Sequence, residues 1–205
     1  MRGACRTCTW SVRVLSRSTL TRTLVVAFAL ALALAAPITR AHAGSAVSLD
    51  LHDVLGERVA LPAPARATVL FFMSRRAQDE CNAFGRDIDE QLLDAPVESV
   101  AFVDVRRYGG WLRRLAESRM KKSALEAREH RRERRIEHGA NASSDVVNRW
   151  HLVGDFDGAL FSQFGVEGEP AHPLAFVLDR KGALRGPFRE VRAVVEAVGD
   201  ATRAR

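Results

Sequence analysis

The run ATVLFFM, Ala67 to Met73, is apolar almost without a break. A strand with one wet face alternates polar and apolar residues. This one does not, so it suits a strand covered on both faces, as in a parallel sheet. A second run of the same kind, VESVAFVDV, spans Val97 to Val105. Between them the period turns helical from Asp79 to Leu93, with Cys81, Phe84, Ile88 and Leu92 at spacings of three and four. Two buried strands joined by a helix call for a sheet with helices packed against it.

The flanking segments extend this pattern. SAVSLDLHDVLGERVALPAP reads as a short hairpin around Gly56, stopped by Pro62 and Pro64. Val146 to Gly158 supplies a third core strand ending in a DxDG turn, and Ala159 to Val166 a short helix. Pro173 to Phe188 reads as a hairpin with DRKG as its turn. Arg189 to Val198 closes the chain as an amphipathic helix, with Val191, Val194, Val195 and Val198 on one face. The expected fold class is α/β, one mixed sheet flanked by helices.

One segment does not fit a minimal version of that plan. Residues 109–139 form a long charged helical insertion, with strong helix formers, no proline, and Gly139 as its stop. From Arg106 to His138 there are 12 Lys and Arg against five Glu. Its apolar stripe is thin: Trp111, Leu112, Leu115, Met120, Leu125 and Ile136. The expectation is a helix that docks at its start and is exposed afterwards. Its charge makes it a solvated face or a contact surface for a partner or an anionic membrane.

The first residues carry a targeting pattern. Arg2, Arg6, Arg13, Arg17 and Arg22 precede an apolar core, Leu24 to Pro37, and AHA at Ala41 to Ala43 is a small-x-small cleavage site. The core is about 13 residues, against roughly 20 for a membrane-spanning helix. Residues 1–43 are therefore expected to be a cleaved signal peptide, the alternative being an uncleaved anchor, with 44–205 as a single domain. Six of the 31 Lys and Arg, and no acid, lie in residues 1–43, so 25 basic residues face 25 acidic ones beyond it. That balance argues against nucleic acid as a partner. The CxxC motif, Cys5 to Cys8, falls inside the signal, and the mature chain keeps one thiol, Cys81. The remaining mature histidines show no metal-ligand spacing, and no cofactor motif is present.

GDFDGALFSQFGVEGEPAHPLAFVLDRKGAL carries an acid-x-acid-Gly turn, an FGV helix end, a Gly, a Pro and an FxxDxxG segment. With these features the chain resembles the thioredoxin-like superfamily, in its peroxiredoxin and redoxin branch. Arg75, Glu80, Asn82, Ala83, Trp150 and LDRKG are most similar to the YtfJ-type periplasmic proteins, exported thioredoxin-like chains lacking CxxC. The resemblance implies a thioredoxin-like fold, a periplasmic location, and a cis-proline at Pro173, with Pro170 as its rival. It also places the two former dithiol positions at Ala77 and Glu80. In peroxiredoxin register, Pro-x-x-x-Thr-x-x-Cys falls on Ser74, Gln78 and Cys81, so the cysteine is in place without its Pro and Thr.

Two roles follow for Cys81. Near a helix start, with Arg75 and Arg76 in the preceding loop and Gln78 in the Thr position, it is a candidate nucleophile. On the core face beside Phe84 and Ile88 it is a packed, inert thiol. His172 is either a loop histidine or a base paired with Cys81. The first functional expectation is a binding or partner module without dithiol chemistry. The second is a one-cysteine oxidoreductase or peroxidase acting on a small thiol or peroxide.

Overall fold

The structure, a computed structural model, describes residues 46–203. The signal peptide and its CxxC motif lie outside the described residues. The chain opens with an antiparallel hairpin, β1 (Leu49–His52) and β2 (Arg58–Leu61), turned at Gly56. Next come β3 (Ala67–Met73), a single 3-10 turn at Arg75–Ala77, α1 (Gln78–Gln91) and β4 (Val97–Asp104). The long helix α2 (Trp111–Glu137) leads through a helical turn, α3 (Ser144–Val147), into β5 (Trp150–Asp155). The chain ends with α4 (Ala159–Gln163), β6 (Leu174–Leu178), β7 (Leu184–Phe188) and α5 (Val191–Arg203). The expected strand from Val146 begins only at Trp150, because Ser144–Val147 closes one helical turn first.

The main sheet has the order β5-β4-β3-β6-β7. The β3–β4 and β4–β5 pairs are parallel, β3–β6 and β6–β7 antiparallel. The unbroken apolar run of β3 is explained by its central place. Ala67, Val69 and Phe71 face one core with α1, α2 and α5, while Leu70 and Phe72 face the other with α4 and the β1–β2 hairpin. In the second core Phe72 is ringed by Phe102, Phe161, Phe164 and Phe176, with centroids 5.2, 5.0, 5.3 and 5.4 Å away. These are the separations aromatic pairs favour.

Two turns explain two sequence motifs. In DxDG, Asp155 accepts from the Gly158 and Phe161 N–H groups (both 2.9 Å), which starts α4. In DRKG, Asp179 accepts from the N–H groups of Lys181 and Ala183 (2.8 and 2.9 Å). Gly182 there has φ +85°, and a Cβ on it would sit 2.8 Å from the Val47 carbonyl oxygen. Both short acidic motifs are turn chemistry.

The long helix departs from expectation. It docks along its whole length through Ala116, Met120, Ala124, Arg128, Arg131 and Arg135. Of the expected apolar stripe only Met120 is buried; Trp111, Leu112, Leu115, Leu125 and Ile136 are exposed. The small alanines let the helix lie close on the sheet. Beyond Ala124 the body offers carboxylates instead of apolar surface, and arginines meet them. Arg128 binds Glu57 (2.7 Å) and Asp53 (3.2 Å), and Arg131 lies 3.4 Å from Asp89. Among the described residues no helix is long and apolar enough to cross a membrane.

Candidate functional site

The loop from Ser74 to Gln78 leaves the C-terminal end of β3, the central strand. Ser74 fixes it. Its buried Oγ donates to the Pro170 carbonyl (2.6 Å) and accepts from the Ala77 N–H (3.3 Å), tying the loop to the segment before β6. The Arg76 N–H donates to Glu169 (3.1 Å), and Arg106 reaches the Gly168 carbonyl (3.3 Å). The two loops of this pole therefore form one hydrogen-bonded unit.

The expected cis-proline is not at Pro173 or Pro170. The cis bonds among the described residues are Leu61–Pro62 and Gly186–Pro187. The GEPAHP loop, two residues longer than the GxP pattern, meets the Ser74 loop through the Pro170 carbonyl instead.

Cys81 sits in the first turns of α1 and is only 5% exposed. Burial pushes its thiol up; the Ser74 backbone favours the thiolate, and the Glu80 carboxylate opposes it. Phe84 and Ile88 continue the same buried face. His172 does not pair with the cysteine. Its Nδ1 lies 3.3 Å from the Glu80 carboxylate, and both side chains are well exposed. Ala77, the first former dithiol position, is buried, while Glu80, the second, is exposed. Arg75, Arg76 and Gln78 are also exposed.

Beside this loop lies a groove of about 800 Å³. Met73, Val103, Trp150 and Leu152, from three neighbouring strands, and Val105, just past β4, form its floor. Arg75, Gln78 and Asn82 form one wall, and α2 forms the other from Leu112 to His130. That volume lies within the usual range of ligand pockets. Of its charged groups, Asp104 is gripped by Arg106 (2.6 Å), whose hydrogen bond holds that carboxyl below the usual carboxylate range. Glu126 lies near Lys122 (3.7 Å) and His130 near Glu133 (3.2 Å). Arg75 and Arg119 have no ion-pair partner among the described residues. Sequence reasoning found Arg75 and Gln78 but missed Arg119, Met120 and Trp150 as site residues. Only the packing of α2 against β5 brings them together.

A second polar cluster flanks β5, the edge strand. His151 Nδ1 lies 3.0 Å from Asp53 and its Nε2 2.9 Å from Glu98. Burial opposes the charged imidazole, but the bonds to Glu98 and Asp53 outweigh this and hold His151 above the ordinary histidine value. Asp53, Glu57 and His151 bring ligand atoms within 4.8 Å of one another, as a metal ion requires. The Arg128 guanidinium fills that role here, bonding both carboxylates and, through Nε, the Trp150 carbonyl (3.2 Å). The Val54 N–H takes the Leu152 carbonyl (2.8 Å). The cluster closes the sheet edge and anchors α2.

With the hairpin, central sheet and flanking helices in place, the fold is thioredoxin-like. No family model matches the sequence, and no curated protein matches it. Solved structures do. BsSco, a member of the Sco family of cytochrome c oxidase assembly proteins, aligns with a TM-score of 0.52 at 12% identity, over 82% of this chain and 99% of its own. The exposed lipoprotein thioredoxin of Streptococcus pneumoniae aligns with a TM-score of 0.49 at 17% identity, over 75% and 99%. The likeness is one of fold.

Proposed function

We propose that this chain is an exported thioredoxin-fold binding or partner module of the bacterial periplasm, related to the YtfJ-type proteins, that works without dithiol exchange. Residues 1–43 serve as the cleaved signal, taking the CxxC motif with them, and 44–205 act as one domain. The observation that carries this reading is the state of Cys81. The thiolate is the nucleophile in both peroxide and disulfide attack. Cys81 is buried, its thiol is pushed up by that burial, and its nearest charged neighbour in sequence, Glu80, pushes the same way. Arg75 and Arg76, the expected activators, are exposed, and Arg75 lines the groove. What this pole offers instead is a braced loop pair and a groove of ligand size beside it.

The test compares the 44–205 protein with its Cys81→Ala variant for reduction of insulin disulfides and for peroxide consumption. Both proteins are expected to stay at the background rate. Turnover that disappears with Cys81→Ala overturns the reading in favour of a one-cysteine oxidoreductase.

A further inference from the structure

The groove between α1 and α2 carries a more specific inference, which rests on the binding-module reading above. We infer that it binds an anionic amphiphile, a single apolar chain or ring system ending in a carboxylate or phosphate.

Three observations lead there. The first is shape. The groove follows α2 from Leu112 to His130, which at 1.5 Å per helical residue is about 27 Å. An elongated apolar body suits such a channel better than a compact one. The second is the lack of backbone partners along the floor. The Trp150 carbonyl is taken by Arg128 and the Leu152 carbonyl by the Val54 N–H. A peptide laid on Met73, Val103, Val105 and Leu152 would bury amide groups against side chains that cannot bond them. That costs several kcal/mol per unsatisfied group in an apolar setting. An alkyl or aromatic body has no such groups to satisfy.

The third observation is charge. Arg75 and Arg119 line the groove, one from each wall, and neither has an ion-pair partner among the described residues. The acids of the groove are engaged: Asp104 by Arg106, and Glu126 near Lys122. The unmet charge of the site is therefore positive, and an anionic headgroup complements it. Guanidinium forks fit both carboxylate and phosphate geometry.

The experiment uses the 44–205 protein carrying Trp111→Phe. Among residues 44–205 this leaves Trp150, a floor residue, as the lone indole. Its fluorescence is titrated below the micelle threshold with dodecanoate, dodecyl phosphate, dodecanol and dodecyltrimethylammonium. Saturable changes are expected with one or both anions. Dodecanol should bind at least about tenfold more weakly and the cation not at all, since a charge-assisted bond is worth about a factor of ten or more. The two anions against each other tell a carboxylate site from a phosphate site. Arg75→Ala and Arg119→Ala should each weaken anion binding about tenfold. Arg132→Ala, an exposed change off the groove, should leave it unaltered. No saturable change with either anion, or equal affinity for anion and cation, overturns the inference. Insulin and peroxide turnover is measured on the same samples. Absent binding with absent turnover removes the ligand class alone. Cys81-dependent turnover removes the binding-module reading itself.

Discussion

Replacing Arg128 by Met tests how the long helix is held. Arg128 makes four hydrogen bonds: to both Glu57 oxygens (2.7 and 2.8 Å), to Asp53 (3.2 Å) and to the Trp150 carbonyl (3.2 Å). Methionine keeps much of the stem and removes all four. Glu57 is 40% exposed and regains water, so its loss counts for little. The Asp53 side chain is 1% exposed but keeps the Leu55 and Glu57 N–H groups and His151. The Trp150 carbonyl loses its donor. Breaking a buried pair outright costs about 3–5 kcal/mol. With Asp53 still held by three donors, a cost of about 2–3 kcal/mol is expected. The same helix provides the control. Leu125, part of the apolar stripe read from sequence, is 59% exposed, so Leu125→Ala should stay within about 0.5 kcal/mol. Urea unfolding followed by circular dichroism reads both. If Leu125→Ala costs as much as Arg128→Met, the helix docks by its apolar stripe and the reasoning fails.

Three further outcomes follow from the same geometry. The folded-state pKa of His151 is raised, so its stabilisation is full below about pH 6.5 and is lost as pH rises through the raised value. The melting temperature should therefore fall as pH rises above about 6.5, and His151→Gln should flatten that slope; a wild-type profile as flat as the variant's rejects the charged imidazole. Arg131 pairs with Asp89 but leaves Nε and Nη1 buried without partners, and Arg134 also approaches Asp89 (3.7 Å). Arg131→Met should cost about 1 kcal/mol or less, well under Arg128→Met, by the same unfolding assay. Gly182→Ala meets both a positive φ and the Val47 carbonyl, and should lower stability by about 2 kcal/mol, whereas a neutral result would show that the turn readily rearranges.

The core strands were legible because burial on both faces leaves a local mark: ATVLFFM and VESVAFVDV have no polar alternation to hide. The inward turn of Cys81 was legible too, in its spacing with Phe84 and Ile88. The docking face of α2 was not. A helical stripe of large apolar residues is the usual sign of a buried face, and here Trp111, Leu115, Leu125 and Ile136 point outward while Ala and Arg point in. Arg128 and Arg131 are buried where Asp53, Glu57 and Asp89 meet them, and those acids lie far away in sequence. The candidate site divides the same way. Its loop, Ser74 to Cys81, is one continuous segment and could be read. Its groove depends on a helix docking against a strand remote from the loop, which no local pattern encodes. His172, open from sequence between a loop histidine and a base for Cys81, is an exposed loop residue that lies against Glu80, the neighbouring residue in α1.

The central claim is that Cys81 is a packed thiol at a pole that binds and does not exchange disulfides. The most direct measurement is its alkylation rate by iodoacetamide in the native 44–205 protein, followed from pH 5 to 10. The account predicts slow labelling throughout, with a midpoint above the ordinary thiol value of about 8.5 and full labelling only after denaturation. Rapid native labelling with a midpoint near pH 6 would contradict it and make Cys81 an activated nucleophile.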